Sequence, residues 1–307
     1  MLLLAPAPPI VPAQSPEVTL TPAIVEVGSP ELIRVRLPMS SGPGAATQNG
    51  ATVDPSLEGA WLNHKLQFFR GRDGQSLYAL AGVDVKAAAG PSTLRIIVHT
   101  AAGPAPGSPP LAGDHLIDLS RTIQILPAHY RTGTLTVAPN FVEPGPDELT
   151  RINAEVELKS KVFAASASQP LWSGDFRAPV HAPPTDSFGT RRTFNGKLAS
   201  VHEGMDFRAP IGTPVRAGNS GVVVLAQSLY YEGNCVAIDH GLGLYTISMH
   251  LSRIDVRVGD RVIAGQLIGL SGATGRVTGP HLHWAVRWQN AYLDPAKLLR
   301  MDLSTVR

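Results

Sequence analysis

The residues able to do chemistry crowd into the last third of this chain. Five of its ten histidines follow position 200, and three short arrangements among them stand out. The first is His202-Glu203-Gly204-Met205-Asp206, a His-x-x-x-Asp. In an extended segment, residues i and i+4 share a face, and a neutral imidazole with a carboxylate makes two ligands that zinc accepts. The second is His281-Leu282-His283 within an alternating segment. Residues two apart on a strand lie on one side, roughly 6–7 Å apart. Two such imidazoles cannot both sit in an apolar core without partners. The third is His250, which closes TyrThrIleSerMetHis. Alternation places Thr246, Ser248 and His250 on one face and Ile247 and Met249 on the other.

Together these groups describe a hydrolytic zinc site. Such a site needs three protein ligands and an open position for water, with further groups that move protons and stabilise developing charge. His202, Asp206 and one of His281 and His283 supply the ligands, and the remaining histidines serve the chemistry. His240 lies in AspHisGly, which is turn chemistry, and is assigned to a hairpin. His64, His99 and His115 are isolated from one another and read as surface or structural residues.

Composition narrows the alternatives. Among 307 residues there are 30 glycines and 27 prolines, and only 16% are charged, which favours short strands and tight turns over a helical bundle. With 43% hydrophobic residues the chain still buries a sizeable core. The formal charge of +2 excludes a strongly basic nucleic-acid binder. It conceals an asymmetry, because residues 171–307 carry 14 basic against 10 acidic side chains. Cys235 is the single cysteine, which excludes an intrachain disulfide and any thiolate zinc site, and its apolar run marks it as a buried hydrophobe. No stretch approaches the roughly 18 apolar residues of a membrane span. The glycine-rich loop 270–279 lacks the Gly-Lys-Ser/Thr ending of a phosphate loop and precedes a strand, so it is read as groove wall.

The elements that position these residues form a mainly β chain of two domains. Residues 1–16 are apolar and Pro/Ala-rich, a possible export-signal remnant or a disordered tail. Over 17–127, segments such as 32–37, 94–99 and 121–126 alternate as half-buried strands between Gly/Pro loops at 38–55 and 101–113, and suit an immunoglobulin-like β-sandwich. Residues 128–170 form a helical connector. Its one convincing helix covers 144–158, opened by proline and two acids, with Leu149, Ile152 and Val156 as the inward stripe. From 171 to 307 short strands resume at 221–226, 234–239, 244–250 and 281–288.

This last domain resembles the lysostaphin/LytM-type zinc metallopeptidases, which cut peptide cross-links of bacterial peptidoglycan. The matching text includes SerPheGlyThrArg (187–191), HisGluGlyMetAspPhe (202–207), GlyThrProValArgAla (212–217), GlyAsnCysValAlaIleAspHisGlyLeuGlyLeuTyrThr (233–246), MetHisLeu (249–251) and ThrGlyArgValThrGlyProHisLeuHisTrp (274–284). The resemblance implies an antiparallel sheet with a groove across it, of the duplicated-hybrid-motif kind. It implies zinc held by His202, Asp206 and His283, with His250 and His281 as the catalytic pair. Several members of that family place an oxyanion-stabilising tyrosine six residues before the first ligand. Here that position is Gly196, and Asn195 is the neighbouring candidate donor.

The function implied is a zinc endopeptidase acting on peptidoglycan peptides, exported to the bacterial envelope because its substrate lies there. Two other readings are a non-catalytic envelope module that regulates another hydrolase, and a zinc protease acting on glycine-rich proteins. All five site positions are present, which counts against the regulator. The sequence leaves open the bond cut, the oligomeric state and the role of the N-terminal sandwich.

Overall fold

The computed structural model describes residues 15–37, 47–48, 51–52, 56–101 and 114–306. The tail expected over 1–16 lies outside these residues except for 15 and 16, as does most of the loops expected at 38–55 and 101–113.

In the N-terminal part, β-branched and aromatic residues alternate along strands that gather into two sheets. One sheet runs in the order Glu17–Thr21, Pro30–Arg36, Ser76–Gly82, Phe68–Arg70. The other runs Val25–Glu26, Asp114–Leu126, Gly90–Ala101, Ser56–Trp61, His64–Leu66. Ile33, Val35 and Ala79 from the first meet Leu94, Ile96, Val98 and Trp61 from the second in a shared buried core.

That core continues into the C-terminal part. Phe69 meets Trp172 edge-on with ring centroids 5.7 Å apart, and His64 meets Trp288 at 5.0 Å. Polar contacts fix the same junction: Asp84 Oδ2 accepts from the Tyr292 amide at 2.8 Å, and Gly28 O accepts from the Asp294 amide at 2.8 Å. Gly82 packs so closely on Leu293 that a Cβ there would come within 2.4 Å of its side chain.

The connector does more than link. Thr132–Leu135 is a strand that pairs in parallel with Arg191–Phe194, which pairs in turn with Leu198–Val201. The helix then runs Pro146–Phe163, five residues beyond the expected end, because no glycine or proline interrupts Lys159 to Phe163. Its inward stripe also differs from the expected one. Leu149 and Val156 are exposed, and Ile152, Leu158, Val162 and Phe163 turn inward instead. The decisive anchor is Phe163, which packs edge-on against Tyr245 at 5.0 Å, so the C-terminal end sets the rotation of the whole helix.

The C-terminal part is built on a ten-stranded sheet whose central path is Pro184–Asp186, Met205–Phe207, Leu282–Trp288, Leu244–Ile254, Gly233–Asp239, Gly221–Leu229 and Arg261–Val262, all antiparallel. Alternation sorts its side chains. Leu282, Trp284 and Val286 enter the main core with Met205 and Phe207, while Ala285, Ile247 and Tyr245 face the helix. His283, two residues before Ala285, therefore faces the helix side, at the end the helix leaves uncovered. There lies a groove of about 1230 Å³. No helix among the described residues is long and apolar enough to cross a membrane.

Candidate metal centre and active site

Backbone pairing brings the three proposed ligands together. Asp206 stands directly opposite His283 in the register between Met205–Phe207 and Leu282–Trp288. His202 is not on that strand; it lies in the short turn before it, and Gly204 lets the turn close down on the strand. A Cβ at Gly204 would lie 2.4 Å from His283 Nε2 and 2.8 Å from Trp284 O, so only glycine fits.

His202 Nε2, Asp206 Oδ1 and His283 Nδ1 then form a triangle with all three sides 2.9 Å. His202 donates from Nδ1 to Ser187 O at 3.0 Å, which leaves a lone pair on Nε2. Burial pushes the His283 imidazole down to about 4, against the opposing pull of Asp206, so it is neutral at ordinary pH. Burial would raise the Asp206 carboxyl, but its close contacts with the His202 and His283 rings hold it below the usual carboxylate range. Three electron-rich atoms converging in a buried pocket demand a cation, and two imidazoles with one carboxylate are a donor set for zinc. The residues present fit that metal.

Arg192 supports this triangle from behind. Its Nη2 donates to Asp206 Oδ2 at 2.8 Å and to Asp186 Oδ2 at 2.6 Å. Arg192 lies on the strand paired with the connector strand, opposite Gly133, so the connector helps to set the second layer of the site. Nothing in the sequence separated Arg192 from the adjacent Arg191; their roles diverge only through strand alternation.

The remaining two histidines face the same groove. His281 donates from Nδ1 to Gly279 O at 2.8 Å, and His250 donates from Nδ1 to Thr274 O at 2.8 Å. Each thereby keeps Nε2 as its free nitrogen. Their ring centroids are 4.9 Å apart, and His281 Nε2 is 3.8 Å from Asp206 Oδ1. Burial, then the neighbouring imidazoles of His283 and His281, push His250 down to about 3.

The placement of His250 corrects the simple alternation argument. Thr246 and Ser248 are buried beneath the sheet, and Thr246 Oγ1 bonds to His240 Nε2 at 2.8 Å. His250 does not join them. It adopts φ +63°, where the pairing with Gly233–Asp239 shifts register and that with Leu282–Trp288 has ended, and it lines the groove beside Met249. A bulge of this kind re-aims one side chain without disturbing the rest of the strand. It brings His250 to a ring distance of 5.9 Å from His283.

His240 sits in the hairpin as expected but is fully buried, held between Ser220 O and Thr246 Oγ1. Asn195 is not a donor to the site. Its side chain is spent on the amide and carbonyl of Val137, at 2.9 and 3.0 Å, and so ties the connector to the turn at Gly196. One of the tyrosines lining the groove, Tyr231, which no motif of the sequence marks, is placed with Phe194 around the guanidinium of Arg276.

This geometry, two candidate ligands on paired strands and a third in the turn before them with two further imidazoles across a groove, defines a metallopeptidase centre of the lysostaphin/LytM type, and zinc is its metal. Residues 200–295 match the profile of peptidase family M23 and form a peptidase M23 domain. Over 88 residues it is 53% identical to the peptidoglycan DD-endopeptidase ShyA of Vibrio cholerae, which covers 29% of this chain and 20% of the relative. Over 91 residues it is 49% identical to lysostaphin of Staphylococcus staphylolyticus, covering 29% and 19%. The alignments therefore span only about a fifth of each of these relatives. A crystal structure from Pseudomonas aeruginosa assigned to peptidase M23 aligns over 89% of this chain and 94% of its own length, with 26% identity and a TM-score of 0.59. That likeness takes in the N-terminal sheets as well as the peptidase domain.

Proposed function

We propose that this protein is a zinc endopeptidase that hydrolyses peptide bonds in peptidoglycan stem peptides or their cross-links. The observation that carries the reading is the closed triangle of His202, Asp206 and His283 facing the His250–His281 pair across one groove. The substrate class is supported by the relatives, one named as a peptidoglycan DD-endopeptidase. Action on peptidoglycan places the protein in the bacterial envelope or outside the cell.

Zinc held by His202, Asp206 and His283 supplies Lewis acidity, which lowers the pKa of water and polarises a carbonyl. The chain's own residues do the rest. The groove admits an extended peptide and brings its scissile carbonyl against the triangle. His250 and His281, each anchored through Nδ1–H to a backbone carbonyl, aim Nε2 at the reacting atoms. Between them they take the proton of the attacking water, return it to the leaving amine nitrogen, and stabilise the developing negative charge. Arg192 keeps Asp206 ionised and in place.

In this reading residues 171–307 are the peptidase domain, residues 128–170 the connector, and residues 17–127 an accessory sandwich of immunoglobulin type. The non-catalytic alternative finds no support in the site, since every ligand and both further histidines converge. Zinc analysis of purified protein together with digestion of purified sacculi tests the proposal. One equivalent of zinc and released peptides whose masses identify the cut bond are expected. Metal-free protein that releases nothing overturns it.

A further inference from the structure

One half-buried cation in the groove makes no ion pair with a carboxylate among the described residues. Arg276 is half-buried in the loop that leads to His281, and its amide is fixed by a 2.9 Å bond to Tyr231 O. Its guanidinium lies 4.5 Å from the ring centre of Phe194 and 4.6 Å from that of Tyr231. Among the described residues no carboxylate pairs with it. Asp186 and Asp206 are engaged by Arg192, and Glu232 is engaged by Lys159. Burial pushes its ionisation below the ordinary arginine range, against the opposing pull of Tyr231 and of Glu232.

Removing a guanidinium from water is costly, and ring faces return only part of that cost. Two rings do, however, hold the planar fork in one orientation. A fixed, partly desolvated guanidinium with free N–H groups matches a carboxylate, which it grips with two parallel hydrogen bonds. The same groove is lined by His250, His281 and His283, so a carboxylate held there belongs to a peptide lying across the reacting atoms.

Building on the peptidase reading, we infer that Arg276 is a specificity-determining residue, which binds a free carboxylate on the peptide substrate close to the scissile bond. Phe194 and Tyr231 are the positioning residues that orient it. The preferred substrates are peptides with an unamidated carboxylate beside the cleaved bond, and amidation of that group weakens binding.

The test uses zinc-loaded full-length protein and a set of synthetic cross-linked peptide dimers. One dimer has every carboxylate free, and the others each have one carboxylate converted to carboxamide. With wild type, amidation at one position is expected to lower kcat/KM about 10- to 100-fold, mainly through KM, the size of a charge-assisted hydrogen-bonded pair. Arg276→Gln should cleave the free dimer at the rate of that amidated one and leave the amidated dimer unchanged. Arg276→Lys, which keeps the charge without the fork, should restore part of the preference. Equal losses on both dimers in Arg276→Gln mean that the arginine only clamps the loop, and overturn the inference. So does a wild type indifferent to every amidation. A zinc-loaded wild type that cleaves no dimer overturns the peptidase reading itself, and this subsite with it.

Discussion

The guanidinium of Arg192 holds Oδ2 of Asp206 at 2.8 Å, while Oδ1 of the same carboxylate faces His202 and His283. One oxygen is thus committed to a fixed cation and the other is left for the metal. This arrangement resists protonation of the ligand and prevents its rotation. Arg192→Gln is expected to weaken zinc binding by about 10- to 100-fold, the usual scale for such supporting contacts, with little change in the fold. Competition against a chromophoric chelator measures the affinity, and circular dichroism checks the fold. Unaltered affinity would show that Arg192 is a surface bridge only.

His283 and His281 are two residues apart and face one groove, yet different consequences are expected of their removal. His283→Ala deletes a side of the metal triangle, so zinc and activity should be lost together. His281→Ala leaves the triangle intact, so zinc should remain while turnover falls about 10²- to 10⁴-fold, the range of general acid–base catalysis. Metal analysis and digestion of sacculi on the same preparations separate the two effects. Wild-type turnover by His281→Ala would refute the division of roles.

A second prediction about charge concerns the N-terminal part. Glu31 is completely buried, its Oε1 lies 2.5 Å from Ser29 Oγ, and its Oε2 has no partner. Burial, only partly offset by Ser29 and Lys297, raises it from 4.5 to about 8. Between these values the folded protein holds a proton that the unfolded chain has released. Its contribution to stability is fully present below pH 4.5 and is lost as pH rises through about 8. The loss amounts to at most about 1.4 kcal/mol per pH unit. His240, pushed down to about 4 by burial, acts in the opposite sense below 6.5, so the variant must be compared with wild type at each pH. Glu31→Gln should flatten the difference across that window, and denaturant unfolding at several pH values reads it. A parallel pH profile for wild type and variant would sink the idea.

Much of the site was legible in the sequence because its spacing is local. His-x-x-x-Asp and His-x-His each place two groups within a few residues, and strand alternation then dictates a common face for His281 and His283. Strand positions at 221–226, 234–239 and 281–288 followed from the same period. The helix was legible as a helix, but its inward stripe was not. Leu149 and Val156 have the right spacing, and the anchoring of Phe163 on Tyr245 decided otherwise.

By itself, then, the sequence pointed to the candidate ligand types and their pairing within each motif, and determined the mainly β character of the chain. All of these depend on neighbours along the backbone. Only the tertiary structure decided that Asp206 stands across from His283, that Arg192 and not Arg191 backs it, and that His250 leaves the face its alternation assigns. It likewise decided that Asn195 serves the connector and that Arg276 is held between two rings. The first three of these outcomes rest on strand register or on a left-handed residue at a bulge. Register and bulges are set by packing between distant segments, which no local pattern of residues records.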